Sequence, residues 1–292
     1  MSRPAMITRP GRRLLRERAV IILCTTALLV ACLPLGWLLI EVFRLGIRHL
    51  SLDFFAAGTA LPGLSGWGSA LAGSAMVVGI AAVLGIPVGV GTGLYVTEFG
   101  SGLLGRVARV VCEALAGLPS IVAGMAAYGL IMTTTGRFSL LAGGAALAVI
   151  LAPMVAMTTM AALQAVPREL REAASALGLG EATTVLRIVL PAAWPHVVTG
   201  TLIAFGRVAG ETAPLLVTVL AVGGGLPRPG ATVPTHVYAH ATTSAPSWEG
   251  EAWAGALILV TAVFVLHAAA MSIWSRRGRV LPVRADRFPT GG

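Results

Sequence analysis

Strongly apolar stretches of about 20 residues, the length that crosses a bilayer core, alternate along this chain with short polar or Gly/Pro-rich joints. The pattern predicts six membrane-spanning helices near 19–40, 69–96, 110–132, 140–163, 196–222 and 251–274. The third is interrupted at Leu118-Pro119-Ser120. The joints differ in character. Residues 41–68 are mixed and Gly-rich, 98–109 form a charged turn, and a brief loop surrounds Gly136-Arg137. A polar island covers about 164–194, and 223–250 is rich in Gly and Pro. The expected fold is all-α and transmembrane. A tail (1–18) comes first, then a first helix with an external loop (19–68), a main transmembrane domain (69–275) and a second tail (276–292).

Small residues within the spans predict close helix contacts, because without a hydrophobic force between helices in lipid, backbone proximity supplies the attraction. Gly85, Gly89 and Gly93 recur every four residues in the second span, and Gly143-Gly144-Ala145-Ala146 opens the fourth. Pro87 should kink the second span locally. Leu29-Val30-Ala31-Cys32 looks like a lipoprotein cleavage box, but the apolar run continues to Ile40. That is longer than the core of a cleaved signal, so a retained helix is expected.

The chain is 56% hydrophobic and only 11% charged. Soluble domains carry roughly a quarter charged residues, so a soluble class is excluded. The net charge of +9 does not indicate nucleic acid, because the basic residues flank apolar spans rather than covering a soluble face. All 21 basic residues are Arg. A P-loop needs a Lys to reach the phosphates of ATP, so any ATP energy must come from a partner. The three cysteines have no metal or redox spacing. Sixteen Arg fall in the two tails, the 98–109 turn and the island, against four in the intervening loops: Arg44, Arg48, Arg137 and Arg228. Positive-inside bias therefore places both termini and the island in the cytoplasm.

Within the island, Arg168 to Leu177 reads as a short helix, with Pro167 at its start and Gly178 as a left-handed stop. A second short helix is expected from Glu181 to Leu190, with Pro191 and Pro195 punctuating the chain before the fifth span. A helix lying on the lipid surface would satisfy the same composition. Against it stands a long gapped pattern: Glu172-Ala173-Ala174, Gly178, then Ile188-x-Leu190-Pro191. A small Ala-Ala face can enter a partner's cleft, and a rigid helix-turn-helix transmits displacement.

In the fifth span Arg207 and Glu211 are four apart, so one helical face should bring them together. Charges at membrane depth cost about 3 kcal/mol each on insertion scales. The pair either locks helices or serves an anion route, with the guanidinium offering two donors to an oxyanion. Gly206 and Gly210 should let a neighbour approach.

The gapped island pattern resembles the cytoplasmic loop signature of the membrane subunits of bacterial ABC importers. Gly206-Arg207-x-x-Gly210-Glu211-Thr212-Ala213-Pro214-Leu215 is similar to a segment of permeases of the phosphate-specific importer, more the PstA-type subunit than the PstC-type. So are Leu118 to Gly124, Ile86 to Gly89 and Tyr95 to Gly100; the likeness covers about 70–275. The resemblance implies a six-helix type I ABC importer permease with a cytoplasmic coupling-helix loop. Coupling falls to Glu172, Ala173, Ala174, Gly178, Ile188, Leu190 and Pro191, and the substrate path or its gate to Arg207, Glu211, Thr212 and Pro214. It further implies a non-catalytic subunit of the bacterial inner membrane that binds no cofactor itself. The implied partners are a second, PstC-type permease, two copies of an ATPase holding ATP and Mg, and an extracytoplasmic phosphate-binding protein. Rival readings are a permease for sulfate or molybdate, and an ATP-independent channel or carrier. His236-x3-His240 has helical metal-ligand spacing but no third ligand nearby in sequence, which favours a surface helix without metal. Glu249 and Glu251 read as interfacial, Glu98 and Glu113 suggest no acid/base work, and there is no nucleophile elbow.

Overall fold

The structure is a computed structural model that describes residues 10–56, 66–135, 139–219, 232–243 and 246–277. The expectations for the two tails beyond these bounds, for Arg137 and for Arg228 fall outside the described residues.

Every described element is helical. Helix α1 (Pro10–His49) runs past Ile40 into the stretch expected to be an external loop. Arg44 there pairs with Glu41 at 3.2 Å, and Arg48 and His49 occupy the last turn. Cations are favoured at that end by the helix dipole. Cys32 lies within this continuous helix. The short α2 (Leu52–Ala56) follows, then α3 (Trp67–Leu94), which passes unbroken through Pro87 and ends in a wider π turn, Tyr95–Phe99.

The expected third span is not one helix. It is α4 (Leu103–Ala116) and α5 (Ser120–Ala127), bent by 105° to each other, with a π turn (Tyr128–Met132) and a single turn α6 (Thr133–Thr135) beyond. Pro119 has no N–H to donate and disfavours helical geometry at Leu118, so the chain turns there. Helix α7 (Leu140–Gln164) starts on Ser139, whose hydroxyl accepts from the Ala142 N–H at 3.1 Å. The island holds α8 (Arg168–Ala176) and α9 (Glu181–Thr184). A π turn (Val185–Val189) leads into α10 (Leu190–Ala209). Helices α11 (Ala213–Thr218), α12 (Val233–Ala241) and α13 (Pro246–Arg277) complete the order. Five helical stretches are long and apolar enough to cross a membrane, or six if the bent α4–α5 pair counts as one.

Helix α7 is the hub. Its Leu147, Leu151 and Val155 are fully buried, in one cluster with Val77 and Ala81 of α3, Ala204 and Val208 of α10, and Leu215 and Val219. The glycine stripe makes the α3–α7 contact. A Cβ on Gly89 would sit 2.6 Å from the Ala152 carbonyl, and one on Gly93 2.7 Å from the Ala156 carbonyl. On α7, a Cβ at Gly143 would meet Val219 at 2.7 Å and one at Gly144 would meet Ile80 at 2.5 Å. The close contacts expected from these small residues are therefore present. By contrast α1 touches chiefly α13 and leaves most of its apolar surface bare, with Trp37 at 71% exposure.

A second cluster ties α2, α3, α12 and α13 at one end. The Phe54 ring stacks on Trp67 at 4.8 Å, and the Trp67 indole N–H donates to Glu251 Oε2 at 2.9 Å. His236 and His240 are wholly buried beside Trp67, with His240 Nε2 3.2 Å from the same Glu251 oxygen. The expected surface helix is thus a core helix, because α12 packs under α13 and α3, a neighbourhood that sequence spacing cannot reveal. Glu251, expected to be interfacial, accepts the Trp67 hydrogen bond within this corner. No group of three His, Cys, Asp or Glu is placed to hold a metal among the described residues.

Candidate coupling hairpin and mid-depth helix break

Helix α8 is closed by hydrogen bonds that its sequence foretells. Gly178 takes φ +77, the left-handed conformation that glycine reaches at least cost. Its N–H donates to the Ser175 carbonyl at 3.0 Å, and the Leu179 N–H reaches back to Ala174 at 3.1 Å. That 5→2 plus 6→1 pair is the Schellman arrangement. It turns the chain sharply toward α9, with no side chain in the way. The faces of α8 are unequal. Ala174 is only 2% exposed and Arg171 is half-buried, whereas Glu172, Ala173, Ser175, Ala176, Leu177 and Gly178 are exposed. Ala173 and Ala174 therefore do not share one docking face. Successive helical residues are about 100° apart, so Ala173 looks outward while Ala174 seats the helix on its own chain. Leu177, 81% exposed, is the apolar tip.

The second arm of the hairpin corrects a further expectation. Pro191 and Pro195 do not separate it from the fifth span: residues 181–209 form one continuous helical stretch. The π turn at Val185–Val189 explains how a proline is tolerated. A wider turn relaxes the i→i−4 ladder in front of Pro191, whose ring would otherwise clash with the preceding turn. Val189, between Ile188 and Leu190, is fully buried against Leu163, Val166, Ala193 and Val197, and Leu190 packs against the same cluster. Ile188 is half-buried and Pro191 exposed. These residues fasten the arm to the end of α7.

A contact missed in the sequence joins the hairpin to α3. The Arg171 guanidinium grips Glu98 with both nitrogens: Nη1 donates to Oε2, and Nη2 to Oε1 at 3.0 Å. Nη2 also donates to the Leu163 carbonyl at 3.1 Å. The Glu98 side chain is 5% exposed and that of Arg171 30%. The available signal was an acidic residue near the end of the Tyr95–Gly100 segment and an Arg of the island, but a sequence separation of 73 hides the pairing.

Arg207 lies in the last turn of α10. Its neighbours Ala204 and Val208 pack with Leu151 and Ala81, which lie near the centres of α7 and α3. Arg207 is therefore at mid-depth of the bundle, and its side chain is exposed on a face that this chain does not cover. The expected pairing with Glu211 is not made, and no ion pair joins the two. Helix α10 stops at Ala209, and the Gly210 and Glu211 N–H groups fold back onto the Arg207 and Val208 carbonyls at 3.2 and 3.1 Å. Pro214 forces this break, because its ring would clash with the Gly210 carbonyl in a continuing helix. Spacing of four then no longer means a shared face.

Thr212 precedes α11, and its carbonyl accepts from Leu215 at 3.0 Å. Gly206 lets α13 approach, since a Cβ there would be 2.9 Å from the His267 ring; Gly210 meets no neighbouring helix. Pro214 is buried against α5, and a Cβ on Gly124 would lie 2.6 Å from the Pro214 Cα. The Leu118–Gly124 and Gly206–Leu215 segments, distant in sequence, are thus brought into backbone contact. Arg207 is exposed and Glu211 half-buried where α10 gives way to α11, and such unwound backbone is tolerated within a membrane only where it is buried in protein or lines a cavity.

Residues 85–277 match the family of binding-protein-dependent transport system inner membrane components. The chain is 35% identical over 268 residues to a phosphate transport system permease protein PstA of Yersinia pestis, covering 90% of this chain and 91% of the relative. It is 37% identical to the PstA of Haemophilus influenzae, over 80% of this chain and 84% of that one. Among solved structures, a bacterial alginate ABC transporter in complex with a pentasaccharide-bound periplasmic protein superimposes with a TM-score of 0.67 at 13% identity, over 92% of this chain and 98% of that one. At that identity the likeness concerns the fold.

Proposed function

We propose a mechanism from one premise: this chain belongs to the binding-protein-dependent transport system inner membrane components and, within them, to the PstA-type phosphate permeases. It is a multi-pass subunit of the inner membrane in an importer of inorganic phosphate. The observation that carries the mechanism is the unbroken helical stretch from Glu181 to Ala209. At 1.5 Å per residue it is about 43 Å long. One end belongs to the exposed hairpin and the other presents Arg207 at mid-depth. A partner that grips Glu172, Ala173 and Leu177 on α8 pushes, through the tight turn at Gly178, on a continuous helical rod and not on a loop.

The proposed partners are a second, PstC-type permease that covers the exposed Arg207 face, two ATPase copies on the hairpins and an extracytoplasmic phosphate-binding protein. The Arg distribution favours a cytoplasmic hairpin, on the side where ATP is. ATP and Mg belong to the ATPases, and this chain contributes no nucleotide-binding lysine. Closure of the ATPases on ATP draws the hairpins together. The rods then rock the spans from inward- to outward-facing, and the binding protein releases phosphate into the path. Arg207 offers two parallel donors to the oxyanion. Glu211, beyond the break, opposes its lasting capture there. Hydrolysis resets the assembly inward.

The test is ATP hydrolysis by the complete importer in proteoliposomes. Binding protein loaded with phosphate should stimulate it several-fold. The same protein offered sulfate or molybdate should not. Equal stimulation by another oxyanion would replace the substrate, and transport without the ATPases would replace the class.

A further inference from the structure

We propose that Glu98 and Arg171 form a strut that sets the angle of the coupling helix, so that the stroke of a docked ATPase moves the α3–α7 pair together with α10. This inference rests on the importer reading above and assigns a role to two residues outside its docking face and its substrate path.

Little else holds α8. It has nine residues, too few for stability alone. Of those nine only Ala174 is buried. The chain that enters it from α7 is the short joint 165–167. Without a further hold, α8 could pivot about that joint and dissipate a push. Arg171 removes that freedom. It is one turn from Ala174 on the same inward face, and its fork meets the Glu98 carboxylate oxygen for oxygen while one nitrogen also reaches the Leu163 carbonyl. Three elements converge on one guanidinium: the π turn that ends α3, the last turn of α7 and the hairpin. A bidentate pair fixes direction as well as distance, which a lysine cannot do.

The burial is equally telling. The Glu98 side chain is 5% exposed and that of Arg171 30%, so the carboxylate is largely withdrawn from water while the guanidinium keeps one edge in the open pocket lined by Thr97, Gln164 and Glu172. Removing one partner would leave the other charge uncompensated in a poorly solvated site. The π turn at Tyr95–Phe99 aims Glu98 at α8. Behind it, the glycine stripe locks α3 against α7 at backbone distance. A push on α8 thus enters the membrane domain at two places, through the rod into α10 and through the strut into α3 and α7. With the strut broken, α8 pivots on its joint, part of the stroke is lost before it reaches α3 and α7, and less phosphate is moved for each ATP hydrolysed.

The experiment compares wild type, Glu98→Gln, Arg171→Gln, Arg171→Lys and the exchanged pair Glu98→Arg with Arg171→Glu in the complete reconstituted importer. Three quantities are read: ATPase co-purified with the permease, ATP hydrolysed, and phosphate moved per ATP. The two Gln variants should retain co-purified ATPase while phosphate moved per ATP falls about tenfold, as expected for opening a half-buried bidentate pair. Arg171→Lys should fall between, and the exchanged pair should regain a substantial part of the loss. A wild-type ratio in either Gln variant would overturn the strut, as would an exchanged pair no better than the single variants. The wild-type arm separates the two ideas. If phosphate fails to stimulate hydrolysis there, the importer reading falls. If it stimulates and the Gln variants are unaffected, only the strut falls.

Discussion

Arg207→Ala is expected to lower phosphate uptake by about 100-fold while the ATPases still co-purify with the chain. The size follows from losing two charge-assisted hydrogen bonds to an oxyanion, together about 3 kcal/mol. Assembly should survive because Arg207 supports no packing. Its side chain is exposed, it pairs with no carboxylate among the described residues, and the helix around it is held by Ala204 and Val208. Arg207→Lys keeps the charge but loses the planar fork, and should transport at an intermediate rate. Radiolabelled phosphate uptake, with co-purification as the control for assembly, measures both. Normal uptake by Arg207→Ala would remove this residue from the phosphate route.

Gly178→Val should abolish ATPase binding and uptake together. A residue at φ +77 tolerates glycine, and β-branched side chains there are strained by more than about 1–2 kcal/mol. The strain would open the two backbone hydrogen bonds that set the turn between the arms. The hairpin would then present its tip at a different angle. Gly178→Asn is the discriminating companion, because Asn enters the left-handed region readily. It should keep most ATPase binding. No space limits either substitution, since a Cβ at this position meets nothing within 4 Å. A Gly178→Val complex that binds its ATPase normally would show that the turn is not what positions the tip.

Gly178 and Arg207 differ in how far the sequence alone reveals their surroundings. Gly178 was readable, because a glycine that ends a short polar helix has one common backbone solution. The glycine stripe of α3 was readable for a similar reason, since four-residue spacing on an apolar helix has few uses but close contact. The environment of Arg207 was only half readable. Its depth followed from the apolar flanks, but its partner did not, because Pro214 ends the ladder before Glu211 can come round to the same face. Pro191 misled in the opposite sense. A proline usually marks a helix boundary, yet one π turn lets the helix pass, and no local residue pattern announces that choice. Ala174 looked like half of a docking surface, and its burial depends on where α8 rests on the membrane domain. Arg171–Glu98 and the Trp67–His240–Glu251 corner were invisible for the plainest reason. Both join residues far apart in sequence, and the pattern of a single element says nothing about which distant side chain it will face.

The central claim is that the 168–190 hairpin lies in the cytoplasm and is gripped there by an ATPase. Leu177 offers a direct probe, being the exposed apolar tip. With Cys24, Cys32 and Cys112 replaced, a Leu177→Cys chain can be treated with a membrane-impermeant maleimide. The reagent should label it in inverted vesicles stripped of ATPase, lose access when the ATPase is added back, and leave right-side-out cells unlabelled. Labelling from the outside, or undiminished labelling in the assembled importer, would contradict the account.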